Sequence, residues 1–158
     1  MKKLIAALVL IAGCRTVTTT LPPATSTSPE PRGANVLGAQ SPVGAVQSFL
    51  AAAKAQDLQA MSAIWGSQSG AVRDQIPRDE LEKRELIIMC YTKHDSARVV
   101  TEGQAAAGGK RVFVVQLMLG DLTRSTNFTA VEGPSGRWYV ESLDLEPLSA
   151  FCAKGGGD

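Results

Sequence analysis

The sequence predicts an α+β fold in which N-terminal helices pack on a curved antiparallel sheet. Between Ser41 and Tyr91, apolar residues recur at helical spacing, whereas from Ala97 to Leu145 they alternate or run on in short, strand-like stretches. Helices followed by a run of strands are typical of this class. The hydrophobic content of 44% is normal for a packed globular chain.

The three predicted helices each have a start signal. Ser41-Pro42 combines an N-cap residue with a proline in the first turn, and Asp57 is the N-cap of the second helix. Pro77 begins the third helix. Its first half, 78–85, is dense in charge and is expected to face solvent. Its second half, 86–91, is almost entirely apolar and is expected to be buried.

Four strands are predicted after the helices, over 97–102, 111–119, 123–132 and 137–145. Residues 111–119 are apolar on both faces and form the strongest of the predicted strands. A hairpin turn at 133–136 separates the last two strands. The outer apolar positions of the strongest strand could form a dimer surface or line a cavity; they are Val112, Val114 and Met118.

Residues 1–13 have the layout of an export signal. Lys2 and Lys3 precede a short apolar run, which is too short to span a bilayer because spanning takes about 20 residues. The run closes on Ile11-Ala12-Gly13-Cys14, which resembles the lipobox of bacterial lipoproteins. That resemblance implies a fatty-acylated Cys14 as the mature N-terminus, anchored in a membrane. The neighbouring Arg15 is not the aspartate of inner-membrane retention, which favours the outer membrane, facing the periplasm.

The rest of the chain divides into a tether, one domain and a tail. Residues 14–40 comprise the lipidated cysteine and a segment rich in threonine, serine and proline that cannot build a core, which predicts a disordered tether. Residues 41–153 are enough for one domain, and 154–158 form a flexible tail. In an oxidising compartment Cys90 and Cys152 could form a disulfide; the alternative is two buried thiols.

The domain resembles the nuclear transport factor 2-like superfold. The likeness rests on the opening helix and turn, 41–58, and on an aromatic strand after a glycine turn, 136–140. It implies a sheet bent into a cone around the helices. Members include isomerase-like and cyclase-like enzymes as well as binding and structural domains, so fold alone does not decide function. Trp65 and Trp138 could contact a ligand at the cone, although core packing is the alternative for both.

Few residues suggest chemistry. With 16 basic and 15 acidic residues, the net charge of +1 offers no basic stripe for nucleic acid. A single histidine argues against a metal site, and no cofactor motif is present. We therefore expect a non-catalytic domain that binds a small apolar ligand or an envelope protein. The alternative is an isomerase- or cyclase-like enzyme with His94 or Asp121 as general base, although a loop histidine is usually a solvated polar residue.

Overall fold

The computed structural model describes residues 37–155, which form an α+β fold. The predicted signal peptide, Cys14 and most of the predicted tether lie outside these residues, as does the end of the tail. The described part contains four α-helices and seven strands. The helices are α1 (Pro42–Ala55), α2 (Leu58–Ile64), α3 (Arg78–Thr92) and α4 (Ser149–Gly155). The strands are β1 (Gly66–Ser67), β2 (Gly70–Ala71), β3 (Ser96–Val99), β4 (Gln104–Ala105), β5 (Arg111–Leu119), β6 (Leu122–Glu132) and β7 (Trp138–Leu143).

The main sheet is antiparallel and open, with the strand order β3-β5-β6-β7. The short β4 also pairs with β5, on the same side as β3, and β1 and β2 form a separate hairpin. Phe113 of β5 lies opposite Phe128 of β6, and both are buried. The predicted α+β class and antiparallel strands are confirmed.

Local capping explains where the first two helices begin. The Ser41 hydroxyl accepts a hydrogen bond from the Gly44 amide at 3.1 Å. The Asp57 carboxylate accepts one from the Ala60 amide at 2.9 Å. Each satisfies an amide that has no partner inside its helix. Both predicted helix starts are confirmed.

The core fills the space between the helices and the inner face of the sheet. The rings of Phe49 on α1 and Phe128 on β6 meet edge to face, with centroids 5.9 Å apart. Other fully buried members come from α2, β5 and the C-terminal region: Met61, Val115, Leu117, Leu148 and Phe151. Full burial of each such side chain contributes roughly 1.5–3 kcal/mol to folding.

Helix α3 differs from the prediction for both of its halves. Leu86 and Ile87 are 58% and 56% exposed, and Glu85 is only 1% exposed. The residues that face the core follow a single stripe at helical spacing: Leu81, Glu85, Ile88 and Thr92. Because a helix turns by about 100° per residue, consecutive apolar residues cannot all share that stripe. The predictions that 86–91 is buried throughout and that 78–85 is solvated throughout are therefore wrong.

The segment before α1 already belongs to the fold from Leu37 onward. Ala39 and Trp138 exchange two backbone hydrogen bonds of 2.8 Å. The Arg137 guanidinium donates to the carbonyl oxygens of Leu37 and Gly38, at 3.0 and 2.6 Å. These contacts hold residues that sequence patterns place in the tether against the edge of β7.

Strand ends differ from the prediction in several places. The first strand ends at Val99 instead of residue 102, and the last runs over Trp138–Leu143 only. The segment between the first two predicted strands contains β4, and the β1–β2 hairpin lies between α2 and α3, where the sequence predicts no strand. None of the helices in residues 37–155 has the length and apolar character needed to cross a membrane.

Candidate functional site

A groove runs along the boundary between α1 and β3. Helix α1 packs mainly on β6 and β7, so its side toward β3 lines two adjoining clefts of about 590 and 560 Å³. The clefts share Gln47 of α1 and Val99 of β3, and we refer to them together as the α1–β3 groove. Phe113 contributes to its floor at one end, and Leu50 at the other.

One wall of the groove is a stripe of α1. Gln47, Ala51 and Lys54 lie at helical spacing, and all three are exposed. The Lys54 ammonium donates a hydrogen bond of 2.6 Å to the carbonyl oxygen of Asp95, just before β3. This contact joins helix and strand at one end of the groove.

The other wall is the edge of the sheet at β3. Within the described residues, β3 pairs with β5 alone. The Val100 amide donates to the Val114 carbonyl opposite it, at 2.8 Å. Because hydrogen-bonded and non-hydrogen-bonded pairs alternate in an antiparallel ladder, the amide and carbonyl groups of Ala97 and Val99 point away from β5. Both residues line the groove.

Basic side chains outnumber acidic ones along the groove. Lys54 and Arg111 line it, against Glu102 alone on the acidic side, and Arg98 of β3 flanks it with its guanidinium on the outer face of the sheet. The Arg98 guanidinium also donates to the Gln116 side chain at 3.1 Å. Basic side chains therefore flank the β3 edge on both faces, which favours association with an anionic segment.

His94 lines the groove and is only 7% exposed, so the expectation of a solvated histidine is wrong. Its Nδ1 lies 2.7 Å from the carbonyl oxygen of Thr92. Since a carbonyl only accepts, Nδ1 carries the proton and the ring is tied to the end of α3. Asp121, the other predicted base, is exposed in the turn between β5 and β6 and lines neither cleft.

The two tryptophans lie away from the groove. Trp65 and Trp138 are half-buried and pack against the core cluster, and neither lines the two clefts. Each also takes part in a backbone bridge at β7: Trp138 with Ala39, and Trp65 with Val140. The predicted ligand-contact residues are therefore not brought together with the groove.

The outer face of β5 is not a cavity lining. Val112 and Val114 are half-buried and Met118 is 37% exposed, and they alternate with β5 residues buried against the helices. Their neighbours across on β6 are polar: Thr129, Asn127 and Thr123. Of the two predicted roles for this face, only a dimer surface agrees with its direction.

Cys90 and Cys152 lie at disulfide distance. Their Cα atoms are 4.7 Å apart, and they connect α3 to α4 across a sequence separation of 62 residues. The pair fastens the C-terminal helix to the helical layer and lines neither cleft of the groove.

Glu85 is the residue that sequence patterns miss. Its Oε1 is buried and has no hydrogen-bond partner among residues 37–155. Burial, with smaller effects of the nearby carboxylates Glu82 and Asp57, raises the pKa of Glu85 to about 7. Its place between Leu81 and Ile88 on the stripe of α3 is the signal that could have shown its burial. It does not line the groove.

In the part of the chain that the structure describes, no three His, Cys, Asp or Glu side chains come together in a way that could hold a metal ion. No protein-family model matches the chain, and no curated protein matches it in sequence. The α1–β3 groove, bordered by basic side chains and by a strand edge that has no partner within residues 37–155, is therefore the feature on which a functional assignment can rest.

Proposed function

We propose that this protein is a lipid-anchored lipoprotein of the cell envelope whose domain binds a partner in the α1–β3 groove without catalysing a reaction. The observation that carries the proposal is the groove itself: an open channel between a helix stripe and the edge of β3, which among residues 37–155 pairs with β5 alone. Anchoring through Cys14 rests on the lipobox-like sequence and on the tether behind it. The anchor we propose lies in the outer membrane, facing the periplasm.

The element order supports a nuclear transport factor 2-like architecture. Three helices precede a run of antiparallel strands, and α1 lies across β6 and β7. In this domain large side chains fill the space between the helices and the sheet. Phe49, Met61 and Phe128 are fully buried there, which favours a partner in the open groove over a small apolar ligand inside.

The distribution of titratable groups favours binding over catalysis. General acid–base chemistry needs groups that converge on one substrate position. Of the two predicted bases, His94 lines the groove and Asp121 is exposed at a turn outside it, so the two do not converge on one position. Glu85, the carboxyl with a strongly raised pKa, is enclosed in the helical layer.

The anchor is tested by replacing the acylated residue. Cys14→Ser should abolish labelling of the protein by radioactive palmitate and leave the signal uncleaved, whereas Thr16→Ser should change neither. Undiminished labelling of Cys14→Ser would remove the lipoprotein assignment.

The groove is tested by photo-crosslinking in the cells that make the protein. A benzoylphenylalanine at Gln47, inside the groove, should yield a discrete product of higher mass on irradiation. The same substitution at Gln59 is the matched control, since Gln59 is exposed on α2 and lines neither cleft. Equal product from both positions, or none from Gln47, would contradict partner binding in the groove.

A further inference from the structure

We infer that the occupant of the α1–β3 groove is an extended, acidic polypeptide segment of a partner protein, which adds as a strand to the edge of β3 that faces away from β5. This inference rests on the proposed partner-binding function and specifies the chemistry of the partner. Its support comes from the backbone of β3, the open cleft beside it and the charges that flank it.

The backbone of β3 offers paired donors and acceptors to a new strand. The amide and carbonyl groups of Ala97 and Val99 point away from β5, as the ladder register requires. An extended peptide can satisfy these groups with its own backbone, which gives affinity independent of its side chains. Side chains at alternate positions then contact the groove walls.

The helix α1 stands beside this edge without closing on it. The groove side of α1 contributes exposed Gln47 and Ala51, and the cleft between helix and strand remains open. A strand lying along β3 would place one row of side chains over Leu50, Val99 and Phe113 on the floor. Apolar residues in that row would lose contact with water, and this burial would add to the affinity that the backbone hydrogen bonds provide.

The charged side chains near the β3 edge indicate which kind of peptide segment the groove would bind. Lys54 and Arg111 lie on the groove side of the β3 edge and the Arg98 guanidinium on its outer side, while the acidic side chain there is Glu102. A segment carrying aspartate or glutamate in its outward row meets this excess favourably, and a basic one is repelled. A second copy of this protein would present the same basic residues at its own β3 edge. The charge pattern therefore favours an acidic partner over self-pairing at this edge.

The opposite edge of the sheet is already occupied. Ala39 pairs with Trp138, and Trp65 pairs with Val140, along β7. An unpaired edge is the usual place for strand addition. In the described part of the sheet, the β3 side is the edge that offers a run of unpaired backbone groups beside a cleft.

The test uses blocked hexapeptides as probes. One alternates valine and glutamate, and the other alternates valine and lysine. We expect the acidic peptide to shift the amide resonances of Ala97 and Val99 in the ¹⁵N-labelled protein. It should also bind at least about tenfold more tightly than the basic peptide, a difference that corresponds to roughly 1.4 kcal/mol of binding free energy. Affinities are measured by fluorescence anisotropy of the labelled peptides.

Two variants separate strand addition from general attraction. Ala97→Pro removes one outward amide and none of the hydrogen bonds to β5, and should weaken binding about fivefold. Arg111→Glu should weaken binding of the acidic peptide about tenfold, while Arg124→Glu, an exposed charge on β6 outside the groove, should leave it unchanged. Arg111→Glu keeps the inference testable if Ala97→Pro does not fold.

Several outcomes overturn the inference. Equal binding of both peptides in the groove removes the acidic preference and leaves the partner-binding function intact. Acidic-peptide binding that Ala97→Pro does not weaken removes strand addition, again without touching that function. Absence of acidic-peptide binding overturns the inference, while the crosslinking at Gln47 still tests the function separately. Slow hydrogen exchange of the Ala97 and Val99 amides in the free protein would mean that its own chain or a second copy already occupies the edge.

Discussion

Replacing Glu85 with glutamine tests whether its buried carboxyl makes folding stability depend on pH. The folded state holds the Glu85 proton with a pKa of about 7, against 4.5 for the unperturbed group. Because the folded protein binds this proton more tightly than the unfolded one, the free energy of unfolding falls as pH rises through that window. The contribution is fully present below pH 4.5 and is lost above about 7.

The size of the effect follows from the pKa difference. Each pKa unit corresponds to about 1.4 kcal/mol, so between pH 5 and pH 8 this carboxyl should cost the wild-type protein roughly 2 to 3 kcal/mol of stability. Glu85→Gln cannot ionise and should lose this dependence. Relative to wild type, the free energy of unfolding of Glu85→Gln should therefore rise by roughly 2 to 3 kcal/mol from pH 5 to pH 8.

Urea unfolding, followed by tryptophan fluorescence at pH 5, 6, 7 and 8, measures this difference. With the slopes usual for a domain of this size, the midpoint difference between variant and wild type should change by about 1 to 2 M urea across the range. Glu80→Gln is the matched control, because Glu80 is on the same helix but is exposed and paired with Arg84. Its difference from wild type should stay within a few tenths of a kcal/mol. A constant difference for Glu85→Gln across the pH range would refute the reasoning.

Three further changes probe the scaffold. Gly66→Ala would place a methyl group 2.4 Å from the carbonyl oxygen of Gly70. Thermal unfolding should show a loss of about 2 kcal/mol or more in the free energy of unfolding, and an unchanged midpoint would contradict the close approach. Reducing the disulfide that we expect between Cys90 and Cys152 should lower the free energy of unfolding by roughly 2–4 kcal/mol. Urea unfolding with reductant should therefore show a lower midpoint, whereas a midpoint insensitive to reductant would mean that both thiols are free. Asp57→Ala removes the α2 cap and should cost about 1 kcal/mol, whereas Asp57→Asn should largely keep it; equal losses would argue against capping.

Local chemistry explains the parts of the fold that the sequence predicts well. Ser41 and Asp57 mark the helix starts because each N-cap contact involves a neighbour three residues away. Strand β5 matches its predicted bounds, 111–119, because continuous apolar character indicates a central strand. These features need no knowledge of distant residues.

Long-range packing decides the features that sequence patterns miss. The phase of α3 relative to the core places Glu85 inside and Leu86 outside, and that phase is set by neighbouring helices and not by the composition of α3. His94 is buried because the chain passes close to α1 where β3 begins. The groove joins α1 to a strand edge that exists only once β3 has paired with β5. No local motif encodes such a pairing.

The asymmetry between the two sheet edges also bears on aggregation. Head-to-tail assembly, in which β3 of one molecule pairs with β7 of the next, would generate an open-ended fibre. The short segment held by Arg137 blocks this route, because Ala39 already takes the Trp138 backbone hydrogen bonds that an incoming strand would need. The protein can thus keep the β3 edge accessible without polymerising in this head-to-tail manner.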